Sequence, residues 1–181
     1  RGDKTASKTL NRATDTTRQP GSTFKILAAY SAALDAGGLT LASVQDDAPY
    51  TYAGANGKSV NNYDRRYRGF TTLREAITDS INIVTVKTLA QAGVSLGWQY
   101  VQEYGFTTVD SRDMNEALAL GGITQGVSNL ELTAAYAAIA NQGTYIKPKF
   151  YTKILDHDGN VLIDNTTPES HTVIKDTTAW L

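Results

Sequence analysis

Ser22 and Lys25 stand three residues apart, where the polar turn Arg18-Gln19-Pro20-Gly21 breaks into a long apolar run. In a helix that spacing puts both side chains on one face, one turn apart. A serine hydroxyl is a poor nucleophile until a base takes its proton. Lysine is such a base only when neutral, and burial lowers its pKa by disfavouring the ammonium. A lysine pressed into an apolar helix beside a serine is therefore what serine acyl transfer needs. Free backbone N–H groups in the first helical turn favour negative charge there. The same pair also fits a plain N-cap serine with a lysine whose stem lies along apolar surface.

Acyl transfer needs two further groups: a proton path to the leaving amine and a donor that holds the substrate amide. Ser-x-Asn supplies a hydroxyl and an amide two residues apart. It occurs as Ser59-Val60-Asn61 and as Ser80-Ile81-Asn82. The first lies in a segment rich in Tyr, Asn, Asp and Gly. The second falls between two apolar helical patterns, so a core holds its turn, and positioned sites belong on rigid supports. Ser80 and Asn82 are the candidates.

The elements that must position these groups follow from periodicity and punctuation. Thr5 to Leu10 is polar and reads as an edge strand. From Ser22, apolar residues cover nearly every face up to Leu34, the mark of a buried helix; Gly37-Gly38 ends it. Residues 40 to 70 read as one long irregular segment, in which Tyr50, Tyr52, Tyr63 and Tyr67 either line a groove or pack within the loop. Thr72-x-x-Glu75 is a capping box opening a short helix, and a second helix runs from Ile83 to Gly93. A further helix spans Leu96 to Tyr104. Ser128-x-x-Glu131 opens an alanine-rich helix closed at Asn141 to Gly143. The stretch after it alternates around Asp158-Gly159, a hairpin signal. Trp98 and Trp180 read as packing residues. Helical bulk with a late hairpin predicts an α+β fold.

A chain of 181 residues with 41% hydrophobic and 19% charged residues is ordinary globular protein. A formal net charge of −1 argues against nucleic-acid binding, and Arg65-Arg66-Tyr67-Arg68 is too short to change that. There is no cysteine, hence no disulfide or thiolate chemistry. His157 and His171 lack ligand-type neighbours, so no metal is expected. No apolar run is long enough to span a membrane. The chain opens at Arg1-Gly2-Asp3 without an initiator methionine and stops at "KDTTAWL"; both ends read as cut.

Order and spacing now carry a resemblance. "NRAT…RQPGSTFK", "NYDRRYRGFTTLREAITDSIN" and "ALALGGITQGVSNLELTAAYAAIANQGTYIKP" resemble successive segments of the transpeptidase domain of class A, bifunctional penicillin-binding proteins, over almost the whole chain. The resemblance implies Ser22 as nucleophile and Lys25 as its base. It implies Ser80 as proton relay and Asn82 as the group that holds the donor peptide's amide, both touching substrate. The backbone N–H of Ser22 would form half of the oxyanion hole. The implied reaction attacks a D-Ala-D-Ala stem peptide of peptidoglycan and transfers the acyl group to a neighbouring strand's amine; β-lactams acylate the same serine. No cofactor is implied. The implied setting is the extracytoplasmic face of the bacterial membrane, reached through an N-terminal anchor outside these residues.

One departure matters. The family's Lys-Thr-Gly strand is absent: Lys4-Thr5-Ala6, Lys8-Thr9-Leu10 and Lys87-Thr88-Leu89 do not qualify. The reading is a partial transpeptidase domain over 1–181. Within it, 1–20 is a lead-in, 21–144 the helical region with both motifs, 145–166 a β-hairpin and 167–181 the start of a further helix. Most of the central antiparallel sheet would be missing and the isolated chain poorly active or inactive, since one lost oxyanion donor alone costs about a hundredfold in rate. Two alternatives stay open: a serine β-lactamase or β-lactam sensor domain, and a non-catalytic module that binds wall peptides.

Overall fold

The computed structural model describes residues 9–53 and 57–181. The edge strand expected over Thr5 to Leu10 lies outside them, apart from Thr9 and Leu10, which are not in a strand. The Arg1-Gly2-Asp3 opening also lies outside.

The apolar run after Pro20 is one helical segment, residues 21–35, with three geometries. It begins as a 3-10 turn, Gly21–Thr23, passes through a π-helical stretch, Ile26–Tyr30, and finishes as helix α1, Ser31–Asp35. Phe24, Leu27, Ala28, Ala29 and Ala32 are fully buried, which is why the run is apolar on every side. Helices α2 (Leu73–Thr78), α3 (Asn82–Ala92), α4 (Val94–Glu103) and α5 (Asn129–Ala140) surround it. Ile83, Val86 and Leu89 of α3 and Val101 of α4 join Leu27 and Ala28 in the main core. Phe24 meets Phe106 edge to face, with centroids 5.0 Å apart. A smaller cluster of Tyr30, Leu73, Ala76, Ile81 and Val84 supports the α2–α3 junction.

Both predicted capping boxes are formed. Glu75 N donates to Thr72 Oγ1 at 3.2 Å while Thr72 N donates to the Glu75 carboxylate at 2.9 Å. Ser128 and Glu131 repeat the exchange at 3.2 and 3.0 Å. Each box satisfies two donors that the helix start would otherwise leave unpaired.

The strands among the described residues form five antiparallel pairs, none with a third member. Residues 40 to 70, expected to be irregular, hold two of these pairs. Strand β2 (Val44–Asp47) pairs with β5 (Gly69–Thr72), and β3 (Tyr50–Thr51) pairs with β4 (Ser59–Val60). The strands are too short to alternate visibly; what ties them is polar, the buried carboxylate of Asp47. Strand β1 (Thr17–Arg18) pairs with β6 (Val127–Ser128), far along the chain.

The hairpin at Asp158-Gly159 consists of β8 (Lys153–Leu155) and β9 (Val161–Asp164). The earlier strand β7 (Thr144–Ile146) pairs instead with β10 (Ser170–Thr172). The short helix α6 (Asp176–Trp180) follows. Trp98 packs against the core as expected. Trp180 does not: its side chain, on the last turn of α6, is exposed. The architecture is α+β, with the helical cluster carrying the core.

Candidate active site

Lys25 is the centre of the site. It follows the 3-10 turn and immediately precedes the π-helical stretch, and it is 3% exposed. Its Nζ donates to three acceptors, all from the α2–α3 junction: Ser80 O at 2.5 Å, Ser80 Oγ at 2.9 Å and Asn82 Oδ1 at 2.6 Å. Among the described residues no carboxylate pairs with this amine. Burial without a counter-charge therefore dominates and pushes its pKa down to about 8. A neutral Lys25 suits the same surroundings. It donates to Ser80 O and Asn82 Oδ1 and accepts from the Ser80 hydroxyl, because the first two oxygens can only accept.

The geometry of Ser80 explains how one residue offers both a carbonyl and a hydroxyl. Helix α2 ends in a Schellman arrangement: Ile81 N donates to Ala76 O at 2.9 Å and Ser80 N to Ile77 O at 3.2 Å. The residue between must be left-handed, and Ser80 has φ +53°. Glycine usually takes that place; a serine there stores strain at a position that faces the amine. Ile81 and Ala76, buried in one cluster, supply the apolar contact that accompanies the motif.

Asn82 opens α3. Its Nδ2 donates to Asn61 O at 2.8 Å, which turns its Oδ1 toward Lys25. The two Ser-x-Asn sequences therefore meet: the first backs the second. Next to it, Asn62 Oδ1 accepts from Ile83 N at 3.2 Å.

Ser22 sits on the 3-10 turn, exposed, one turn before Lys25. No hydrogen bond joins it to Lys25, Ser80 or Asn82 among the described residues; catalytic hydrogen bonds often tighten only with substrate bound. As the second helical residue, its N–H has no intrahelical acceptor. Its loop is clamped on three sides. The Gln19 side chain pairs with both the N–H and the carbonyl of Ile123, the N–H at 2.9 Å. Tyr136 OH donates to Thr23 O at 2.5 Å. Gly121, at φ +72°, lies so close that a Cβ there would stand 2.6 Å from Gly21 N and O.

Of the four candidate side chains, the structure thus joins Lys25, Ser80 and Asn82 directly, while Ser22 is exposed on the turn before Lys25. Sequence reasoning missed Asn61, Asn62 and Gly121. The first Ser-x-Asn, Ser59-Val60-Asn61, is the available signal, but its segment reads as irregular from sequence. The tyrosines divide: Tyr50 and Tyr52 pack on the core, while Tyr63 and Tyr67 are exposed. Tyr50 OH donates to the buried Glu116 at 2.9 Å.

Among the described residues no cluster of His, Asp and Glu could hold a metal. His157 lies in the exposed hairpin turn beside Asp158, and His171 bonds to Glu103 O.

This chain matches known proteins over its length. "Penicillin-binding protein 1F" of Bacillus subtilis (strain 168) is 40% identical over 174 residues, which are 96% of this chain and 23% of that protein. "Penicillin-binding protein 1A" of Neisseria flavescens is 41% identical over 160 residues, 86% of this chain and 19% of that protein. The chain thus spans about a fifth of the curated relatives it matches. The crystal structure of penicillin-binding protein 1A from Haemophilus influenzae superposes with a TM-score of 0.76 at 33% identity, over 90% of this chain and 24% of that one. The model of the "Penicillin binding protein transpeptidase domain" matches residues 1–181, and the chain belongs to that family.

Proposed function

We propose that these residues are part of a peptidoglycan D,D-transpeptidase that works by serine acyl transfer. The observation that carries the reading is the buried Lys25 amine, one helical turn from Ser22 and in hydrogen-bond contact with Ser80 and Asn82. Neutral Lys25 takes the proton as Ser22 Oγ attacks the carbonyl between the two D-alanines of a stem peptide. The Oγ–C bond forms, and the Ser22 N–H steadies the oxyanion. The C–N bond then breaks, and the leaving amine takes a proton passed from Lys25 through the Ser80 hydroxyl. Asn82 holds the donor's amide. In the second half an amine of a neighbouring strand attacks the ester, loses a proton by the same path, and frees Ser22. A β-lactam presents a similar carbonyl and its ring nitrogen stays attached, so its acyl-enzyme persists.

The reading puts the reaction at the extracytoplasmic face of a bacterial membrane, with the anchor outside these residues. No helix among those described is long and apolar enough to cross a membrane. Partners are peptidoglycan stem peptides and β-lactams, with neither cofactor nor nucleic acid.

The test is intact mass of the full-length protein after incubation with a penicillin, followed by peptide mapping. A lasting adduct on the Ser22 peptide, absent in Ser22→Ala, is expected. Penicillin hydrolysed with no adduct would replace the reading by a β-lactamase. Penicillin intact with no adduct would replace it by a binding module.

A further inference from the structure

Asn62 and Asp47 lie outside the proposed chemistry, yet both are buried, at 4% and 0% exposure. Both the amide nitrogen and the amide oxygen of the Asn62 side chain are engaged. Its Nδ2 donates to Asp47 Oδ1 at 2.8 Å and Oδ2 at 3.0 Å, and to Arg66 O at 2.8 Å. Its Oδ1 accepts from Ile83 N. Asp47 is held in turn by Arg68 N at 2.9 Å, with the Arg68 guanidinium 3.7 Å away.

The bond to Ile83 N is a helix cap supplied from a distance. The N-cap residue of α3 is Ile81, whose side chain makes no capping bond. Ile83 is the second residue of α3, where an N-cap side chain normally accepts. Asn62 takes that role from a segment 21 residues away. The neighbouring Asn61 carbonyl then receives the Asn82 amide nitrogen, so pinning residue 62 also pins the acceptor that fixes which way Asn82 faces. Were the amide reversed, Asn82 would turn its NH2 toward the ammonium of Lys25 instead of its oxygen.

We propose that Asn62, held by Asp47, is a positioning residue that caps α3 remotely and locks the Asn82 amide oxygen onto Lys25. The proposal concerns the acyl-transfer site described above and rests on that reading for its catalytic consequence. Asparagine suits the place because one short side chain must both donate to a carboxylate and accept from a backbone N–H. Aspartate there would set two carboxylates against each other in a buried site, and alanine would leave Asp47 and Ile83 N without their partner.

Two readouts test it. In the full-length protein, the acylation rate constant and the half-saturating concentration for a penicillin are measured for Asn62→Ala, Asn62→Asp and the exchange Asp47→Asn with Asn62→Asp. In the same full-length protein, NMR with asparagine-selective labelling follows hydrogen exchange of the Asn82 side-chain amide. Asn62→Ala should lower the rate constant by about a hundredfold, the penalty for a displaced reacting group, with half-saturation little changed. Asn62→Asp should lose as much, the exchange should recover part, and Asn82 exchange should quicken in Asn62→Ala. A merely structural role would reduce the fraction of acylatable protein and leave the rate constant of that fraction alone; this result, or unchanged Asn82 exchange, overturns the proposal. If the wild-type protein takes up no penicillin, the acyl-transfer reading fails by itself, and the Asn82 exchange still decides the positioning role.

Discussion

Replacing Ser80 by glycine and by alanine separates strain from chemistry at one atom. Both changes delete the hydroxyl that lies 2.9 Å from Lys25 Nζ. They differ only in the Cβ, on a backbone with φ +53°. A left-handed residue with a Cβ costs about 1–2 kcal/mol. Glycine escapes this but gains unfolded-state freedom worth about 0.4–1 kcal/mol. The difference leaves Ser80→Gly more stable than Ser80→Ala by about 1 kcal/mol, or about 2–4 °C in melting temperature for a chain of this size. Thermal unfolding of the two variants, followed by circular dichroism, measures it. Acylation by a penicillin, measured in the full-length protein, should fall in both alike, by about a hundredfold or more, the usual worth of a proton relay. Serine would then stand as a strained residue kept for its hydroxyl. If Ser80→Ala melts at or above Ser80→Gly, the left-handed turn is not strained in solution and the reasoning is wrong.

Gly121→Ala should be destabilising by about 1–3 kcal/mol and should slow acylation, since its Cβ would meet Gly21 backbone at 2.6 Å beside Ser22; denaturant midpoints and acylation rates check both effects. In the proposed mechanism only neutral Lys25, with its pKa lowered to about 8, serves as base, so acylation should rise about tenfold per pH unit up to pH 8 and level off above. A flat profile between pH 6 and 8 would remove Lys25 from that role. The same shift makes the unfolded chain bind more protons than the folded one between pH 8 and the ordinary lysine pKa. The Lys25 contribution to stability therefore increases with pH across that window, which denaturation at several pH values reads. Thr72→Ala should cost about 1 kcal/mol by removing half of the α2 capping box, and Glu75→Ala should lose much of the same interaction.

What the sequence shows and hides divides by range. Short-range rules are visible: both capping boxes, the glycine stops and the Asp158-Gly159 hairpin depend on residues within a few positions. The buried first helix is visible because its apolar residues cover every face. Its π-helical middle is not, since no residue marks where the hydrogen-bond step lengthens. The left-handed turn at Ser80 is hidden because the usual marker, glycine, is replaced by a serine, the residue the proposed chemistry uses. Strands β2 and β5 are hidden for another reason. They are held by Asp47, whose partners Asn62 and Arg68 come within reach only after the segment folds back. The Ser-x-x-Lys and Ser-x-Asn pairs could be picked by residue type. Their meeting at Lys25, and the support of one Ser-x-Asn by the other, are tertiary facts.

The clamp on the Ser22 loop bears on how the molecule assembles. Lys25 reaches Ser80 across 55 residues of chain, whereas Gln19 reaches Ile123 across 104. Closing the longer loop costs only about 0.6 kcal/mol more, since each doubling of loop length adds that amount. Entropy alone therefore ranks the two closures weakly. Both contacts come with the same main core: the first helix and α3 share it with Ile123, whose backbone the Gln19 side chain holds. Packing therefore ranks them no better than entropy does, and the seating of the amine and the setting of the Ser22 loop depend on one core.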